Sequence, residues 1–205
     1  MKIHDVPQLS PEWFELRRGR PTASQFGRIL TPKTAKLATA ADGYIAELIA
    51  EIFHLGPISG LDATPSRAMI HGTDCEPEAR RFYEMDRSVD VKQVGFCTTD
   101  DGRFGCSPDG LVGDDGILEL KCPTGKTQVE YLLDGELPAE YRGQVHGALI
   151  VTGRAWVDFL SYCSGLPPLL IRQNPNNFTV ALRTALEMFW ERFQAALAKI
   201  RGEPS

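Results

Sequence analysis

The sequence predicts an α/β fold in which a central mixed β-sheet is flanked by helices. Four segments are rich in aliphatic and aromatic residues and are typical of strands: 91–98, 103–106, 155–163 and 169–172. Helical patterns lie on either side of these strands: two precede them, at 40–53 and 72–84, and a long amphipathic helix is predicted after them over 178–200, where apolar residues recur three or four apart. Strands that alternate with helices along a chain favour an α/β architecture.

Length and composition agree with one compact domain over residues 1–205. The chain has 42% hydrophobic and 24% charged residues, and a chain of this length can bury a sizeable core. No apolar signal region opens the sequence, and no segment approaches the roughly 18 uninterrupted apolar residues of a membrane span. We therefore expect a cytoplasmic protein that makes no contact with a membrane.

A helix is predicted near the N-terminus, with Ser10 as its N-cap, Pro11 in its first turn and a stop at Gly19. Residues 22–25 (TASQ) then form a capping-box pattern that opens a second helix. The free backbone N–H groups of a first turn and a serine hydroxyl together make an anion site. In the plainer interpretation, the serine at position 24 is an ordinary first-turn residue.

Residues 105–121 predict a β-hairpin, because Gly113 to Gly116 supplies turn chemistry between two aliphatic runs. Side chains alternate faces along a strand, so Glu119 and Lys121 share one face, and Leu118 and Leu120 share the other. We expect the two leucines to pack in the core and the two charged residues to line an open cleft.

The hairpin also brings a second carboxylate, Asp109, towards Glu119. Mg²⁺ takes oxygen ligands and is usually held by one or two carboxylates together with substrate phosphate, so these residues suit it, and the backbone carbonyl of Leu120 can complete the shell. Lys121 is then placed to orient an attacking water or to offset charge on a phosphodiester. The alternative is an ordinary Asp-Gly turn beside a solvated Glu-x-Lys ion pair.

Glu76 has two interpretations. It belongs to a capping box over 73–76, or it caps a helix that has Pro77 in its first turn. It can equally be an acidic residue of the site.

The cysteines and histidines show no metal-binding spacing, and the odd number of cysteines argues against a disulfide framework. We therefore expect neither a zinc site nor an iron–sulfur cluster, and we expect surface or core histidines. The residues concerned are Cys75, Cys97, Cys106, Cys122, Cys163, His4, His54, His71 and His146.

The net charge of −5 is unusual for a DNA-binding protein, whose affinity comes largely from neutralising phosphates. Basic residues are concentrated at the N-terminus, where the first 35 residues carry six basic and three acidic side chains. We therefore expect a basic surface near the N-terminus.

Ordered sequence blocks resemble a known family, that of the phage lambda exonuclease and the YqaJ-like viral recombinases in the PD-(D/E)xK nuclease superfamily. The matching blocks spread over most of the chain: 13–19 (WFELRRG), 22–24 (TAS), 72–84, 107–111 (SPDGL), 118–123 (LELKCP) and 144–145 (QV). As a set these blocks are specific, and they imply a restriction-endonuclease-like core.

The resemblance implies a role for each matching residue. Asp109 and Glu119 are implied as metal ligands, Lys121 as catalytic, Glu76 as a further acidic residue near the metals, and Gln144 as a support of the site. It implies contact with a terminal 5′ phosphate for three more: Arg17, Ser24 and Ser107. Read without the family, Arg17 is either a bidentate phosphate partner or a solvated charge.

The implied activity is a Mg²⁺-dependent exonuclease that digests double-stranded DNA from 5′-phosphorylated ends, releases mononucleotides and leaves 3′ single strands for annealing. Mn²⁺ is expected to substitute for Mg²⁺. The implied partners are duplex DNA ends, two further copies in a ring-shaped homotrimer, and a single-strand annealing protein. Two alternatives stay open: a restriction-like or structure-specific endonuclease, and a catalytically silent subunit that binds DNA ends.

Overall fold

The computed structural model describes residues 1–31, 38–58 and 67–203, with side chains described outside residues 67–74. Its strands form two sheets. A three-stranded sheet has the order β1-β3-β4, and a five-stranded sheet has the order β2-β5-β6-β7-β8. The strands are β1 (Lys2–His4), β2 (Val91–Lys92), β3 (Phe96–Thr98), β4 (Gly105–Cys106), β5 (Gly110–Val112), β6 (Gly116–Lys121), β7 (Trp156–Ser161) and β8 (Leu169–Gln173).

Helices cover both faces of the five-stranded sheet, so the predicted α/β fold class is confirmed. They are α1 (Pro11–Arg17), a 3₁₀ helix (Ala23–Arg28), α2 (Ala41–Ile52), α3 (Arg67–Arg87), α4 (Gly125–Asp134), α5 (Ala139–Thr152) and α6 (Asn177–Arg201). None of the helices within the described ranges is long and apolar enough to cross a membrane.

The central strand of the larger sheet is β6, which pairs antiparallel with β5 and parallel with β7. A parallel pair needs a long crossover, and here α4 and α5 provide it. On one face of β6, Ile117 packs in the main core with α5 and α6. On the other face, Leu118 and Leu120 pack in a second core with Ala79 and Tyr83 of α3. The predicted burial of the two leucines is confirmed.

Two helices begin where local capping chemistry predicts. Ser10 accepts from the backbone N–H of Trp13 at 3.2 Å and Pro11 opens α1, which ends at Arg17, close to the expected stop. Asn176 and Thr179 form a capping box at the start of α6, within one residue of the predicted start.

The strand predicted over 91–98 is wrong as a single element. It is divided into β2 and β3, which belong to different sheets. The break falls at Gly95, where an added Cβ atom would lie 1.7 Å from the carbonyl oxygen of Val6. Only glycine allows the backbone of Val6 to approach residue 95 so closely. The chain passes from one sheet to the other at this point.

Candidate active site

The β5–β6 hairpin brings together the two carboxylates that the sequence singles out. Asp109 lies one residue before β5, and its Oδ2 atom accepts from the backbone N–H of Leu120 at 2.6 Å. Because Leu120 lies between Glu119 and Lys121 on β6, this hydrogen bond fixes Asp109 beside both charged residues. The predicted hairpin and the proximity of its charged side chains are present in the structure.

Glu119 is buried, with 2% of its surface exposed. Its Oε1 atom accepts from Lys121 Nζ at 2.5 Å and also from Gln144 Nε2. The Lys121 ammonium lies 5.1 Å from the ring centroid of Tyr141. The prediction that this face lines an open cleft is therefore wrong at Glu119. Two residues of α5, Tyr141 and Gln144, lie against the charged side chains of the strand.

Burial sets the electrostatics of these carboxylates. It raises the pKa of Glu119 to about 7, against the opposing charge of Lys121, and it raises the pKa of Asp109. Burial and the neighbouring Asp109 raise the pKa of Glu76. The raised pKa values mean that burial disfavours the ionised carboxylates by more than the charge of Lys121 offsets.

This donor set fits a hard divalent cation in its chemistry, since Mg²⁺ prefers carboxylate oxygens and keeps several waters. The side chains are not arranged as a complete ligand cage. Within the described residues, no group of three His, Cys, Asp or Glu side chains is gathered to hold a metal ion. The Lys121 ammonium forms an ion pair with Glu119 and so partly neutralises it.

Glu76 is not a helix cap. The helix α3 begins at Arg67 and continues through Pro77 to Arg87, so both capping interpretations are wrong. Proline in a helix interior removes one backbone hydrogen bond, which the long α3 tolerates. Glu76 is half-buried and lines a cleft of about 560 Å³ together with Arg80 and Asp109.

A second, smaller cavity joins the other predicted residues. Its volume is about 40 Å³, and its lining includes Arg17, Ser24, Ser107, Glu119 and Gln144. Residues separated by more than 100 positions thus meet at one place. The structure brings the three predicted phosphate contacts into the same cavity as one predicted metal ligand and its glutamine partner.

Arg17 is a buried cation, with 5% of its surface exposed, so the interpretation as a solvated charge is wrong. Its guanidinium lies 4.5 Å from the Trp13 ring centroid, and Nη2 donates to Thr22 Oγ1 at 3.4 Å. Burial lowers the pKa of Arg17. Its Nε atom is buried without a hydrogen-bond partner among the described residues, which leaves one donor available to an anion.

Residues 12–155 match the family model of the YqaJ-like viral recombinase domain, which is well over half of the chain. The chain belongs to the YqaJ-like viral recombinase family. It is similar to the alkaline exonuclease of Laribacter hongkongensis, at 32% identity over 94% of this chain and 96% of that one, with a TM-score of 0.81. The structure of that exonuclease in complex with dAMP superimposes with a TM-score of 0.80, at the same identity and coverage.

A phage-related exonuclease from Haemophilus somnus shares the fold at 12% identity, with a TM-score of 0.64 over 88% of this chain and 96% of that one. A search of curated proteins finds no match. The predicted family is confirmed, and the YqaJ-like chain is a nuclease of the exonuclease and recombinase family.

The helix predicted after Thr22 in this YqaJ-like chain is a 3₁₀ helix, and the predicted capping box is wrong. Thr22 makes no side-chain cap bond. Its hydroxyl instead contacts Arg17 and lies 3.3 Å from Ser24 Oγ. Through these two contacts, Thr22 connects the buried guanidinium of Arg17 to the exposed side chain of Ser24.

Sequence reasoning gave no role to Trp13, which positions the YqaJ-like site. Its Nε1 atom donates to Ser107 Oγ at 3.0 Å and to the carbonyl of Gly95 at 3.1 Å, and its ring stacks against Arg17. One tryptophan thus orients two of the three predicted phosphate contacts. The signal was present in the sequence, since Trp13 lies one helical turn before Arg17 on the same face of α1.

His146 is a core residue, as expected. It is 1% exposed, and Nδ1 lies 2.8 Å from Thr179 Oγ1. Burial, helped by the charge of Arg142, lowers the pKa of His146 to about 4. All five cysteines are free thiols.

Proposed function

We propose that the protein is a Mg²⁺-dependent 5′-to-3′ exonuclease that acts on double-stranded DNA and releases mononucleotides from 5′-phosphorylated ends. The observation that carries this proposal is the single cavity that joins Arg17, Ser24 and Ser107 to Glu119 and Gln144. An exonuclease that starts at a phosphorylated end needs an anion site next to its hydrolytic site. The likeness to a solved alkaline exonuclease supports the same class of reaction.

Two carboxylates, Asp109 and Glu119, would hold Mg²⁺, with the backbone carbonyl of Leu120 as a further ligand and Glu76 as an additional acidic residue near the metal. Mn²⁺ would substitute, because it accepts the same oxygen donors. A bound divalent cation supplies Lewis-acid polarisation of a phosphodiester and acidifies water. Support comes from the hydrogen bond between the Leu120 N–H and Asp109, which holds Asp109 next to Glu119.

In this proposal Lys121 orients the attacking water or offsets charge on the phosphodiester. Its ammonium is held 2.5 Å from Glu119, which keeps its pKa raised and the group charged. A fixed ammonium beside the reacting phosphate stabilises negative charge that develops in the transition state. Gln144 donates to the same Glu119 oxygen and so fixes the carboxylate from α5.

Arg17, Ser24 and Ser107 would bind the terminal 5′ phosphate. The planar guanidinium suits phosphate, and its Nε donor, which has no partner among the residues that the structure describes, can make such a contact. Trp13 contacts both Arg17 and Ser107 and so holds them in place. The terminal phosphate would then set which bond reaches Glu119, since Glu119 lines the same cavity as these three residues.

The assembly belongs to the proposal as well. A ring-shaped homotrimer would retain duplex DNA despite the net charge of −5, and a single-strand annealing protein would take up the exposed 3′ strand. Such a system would work in the cytoplasm.

The substitution Lys121→Ala tests the catalytic assignment. We expect nucleotide release from linear duplex to fall by about 10²-fold or more, because the charge next to the reacting phosphate is lost. Duplex binding, measured by fluorescence anisotropy, should stay nearly unchanged. Lys126→Ala is the matched control, since Lys126 is exposed on α4 and pairs only loosely with Glu130, at 3.6 Å. Wild-type turnover in Lys121→Ala would refute the assignment.

A further inference from the structure

The larger cleft contains a cation that the proposed function leaves without a role. We name it the Arg80 cleft; it has a volume of about 560 Å³ and is lined by Asp5, Val6, Pro7, Gln8, Glu76, Arg80, Gln93, Val94, Gly95 and Asp109. A volume of this size accommodates a nucleotide. Of these described lining residues, Arg80 alone is basic, while Asp5, Glu76 and Asp109 are acidic.

The Arg80 guanidinium is oriented by a neutral group. With the Gln93 side-chain amide assigned so that its oxygen faces the arginine, this oxygen accepts from Nη1 at 2.8 Å and from Nη2 at 3.0 Å. An amide oxygen orients a guanidinium without neutralising it. The Nε atom of Arg80 is buried and has no hydrogen-bond partner in the described part of the chain. Arg80 therefore keeps both an unused donor and its charge.

The Arg80 cleft adjoins the smaller cavity of Arg17 without sharing a lining residue with it. The consecutive residues Ser107 and Pro108 line the smaller cavity, and the next residue, Asp109, lines the Arg80 cleft. A DNA strand whose terminal phosphate occupies the cavity of Arg17 would continue past Asp109. Its next backbone phosphates would meet a cleft with three acidic side chains, where a cation is needed to offset repulsion.

We propose that Arg80, oriented by Gln93, binds a backbone phosphate of the strand being cut, at a position distinct from the terminal phosphate held by Arg17. This inference rests on the proposed exonuclease function. Arg17 reads whether the end is phosphorylated, whereas Arg80 contacts a phosphate that every DNA strand carries. Loss of Arg80 therefore weakens use of all ends equally.

The test compares Arg80→Gln with Arg81→Gln. Arg81 is the next residue of α3, is exposed, and lines a separate depression with Met85 and Asp90. The readouts are kcat/KM for nucleotide release from 5′-phosphorylated and 5′-hydroxyl duplexes at several salt concentrations, and duplex binding by fluorescence anisotropy of an internally labelled DNA.

For Arg80→Gln we expect kcat/KM to fall about 10-fold or more on both kinds of end, because a charge-assisted phosphate contact is lost. The slope of log kcat/KM against log salt should become shallower by about one, as expected for one phosphate contact. Arg81→Gln should change kcat/KM by less than about two-fold. Arg80→Lys, which keeps the charge but not the fork, should give an intermediate rate and an unchanged salt slope, and it replaces Arg80→Gln if that variant does not fold.

Three results would overturn the proposal: an Arg80→Gln variant that matches Arg81→Gln, a loss of thermal stability with an unchanged salt slope, or a loss confined to phosphorylated ends. If the wild-type protein binds duplex but releases no nucleotide, the exonuclease proposal fails. The role of Arg80 is then tested by duplex binding alone, measured by fluorescence anisotropy. Weaker, less salt-dependent binding by Arg80→Gln would then support the phosphate contact, and unchanged binding would refute it.

Discussion

The pKa of Glu119 is set by the residues that surround its side chain. The carboxylate is buried, and one of its oxygens accepts from both Lys121 and Gln144. The neighbouring Asp109 adds to the effect of burial, so the pKa of Glu119 is raised to about 7. The sequence predicted which residues are close, because period-two alternation places Glu119 and Lys121 on one face. It could not predict the burial, because Gln144 lies 25 residues away on α5.

Arg17→Ala tests the terminal-phosphate site. The ratio of rates on 5′-phosphorylated and 5′-hydroxyl duplexes should fall by about 10-fold or more, because the buried guanidinium is the charged partner in the cavity. The measurement is initial nucleotide release from the two duplexes in parallel. Arg18→Ala is the control, since Arg18 pairs with Glu15 at 2.8 Å and does not line the cavity. An unchanged ratio in Arg17→Ala would remove Arg17 from the phosphate site.

His146 predicts a dependence of stability on pH. Its pKa is about 4 in the folded protein, against 6.5 for the free side chain, so the unfolded state binds more protons between these values. The contribution to stability is complete above pH 6.5 and is lost as the pH falls towards 4, to a limit of about 3 kcal/mol. Urea unfolding of wild type and His146→Asn across this range measures it. The wild-type advantage should shrink on acidification, and a constant difference would contradict the account.

At the scale of elements, the contact between α5 and the 3₁₀ helix builds the smaller cavity. Two glycines of α5 permit the approach: an added Cβ on Gly143 would lie 2.6 Å from the backbone nitrogen of Gly27, and one on Gly147 would lie 2.5 Å from the Phe26 ring. The 3₁₀ helix contains Ser24 and α5 contains Gln144. Close packing of these two elements therefore places both residues in one cavity.

Gly143→Ala should separate the two elements. We expect a loss of about 1–3 kcal/mol in the free energy of unfolding, as for overpacking, and a lower preference for 5′-phosphorylated ends because Ser24 is displaced. Gly43→Ala is the matched control: Gly43 is exposed in α2 with nothing near its Cβ position, and alanine there should stabilise by about 0.5–1 kcal/mol. Urea unfolding and the rate ratio report the two effects. Equal stability of the two variants would refute the packing argument.

Elements fixed by local chemistry were predicted well, and elements fixed by distant contacts were not. The predicted cap Ser10 sets the start of α1 through residues within one turn, and the spacing of apolar residues located α6 to within one residue of its start. In contrast, the break of the 91–98 strand depends on Val6, which is far away along the chain. The capping box at Thr22 failed because its hydroxyl contacts Arg17 instead. Side-chain and backbone contacts outside the local pattern account for these two errors.

At the scale of the whole molecule, the predicted residues converge although they are spread from position 17 to position 144. Arg17, Ser24 and Ser107 meet Glu119 and Gln144 in one cavity, and Asp109 and Glu76 line the cleft beside it. Family membership was predictable because several ordered motifs had to agree, and the family model matches residues 12–155. The roles of these residues in catalysis stay predictions until the reaction is measured.

The most direct test of the central claim is nucleotide release from linear duplex DNA labelled at either end, with Mg²⁺ or EDTA, alongside covalently closed circular DNA. We predict Mg²⁺-dependent release of mononucleotides that begins at the 5′-phosphorylated end, with circles left intact. Cleavage of circles would indicate an endonuclease, and duplex binding without any release would indicate a silent end-binding subunit. Either result would contradict the exonuclease proposal.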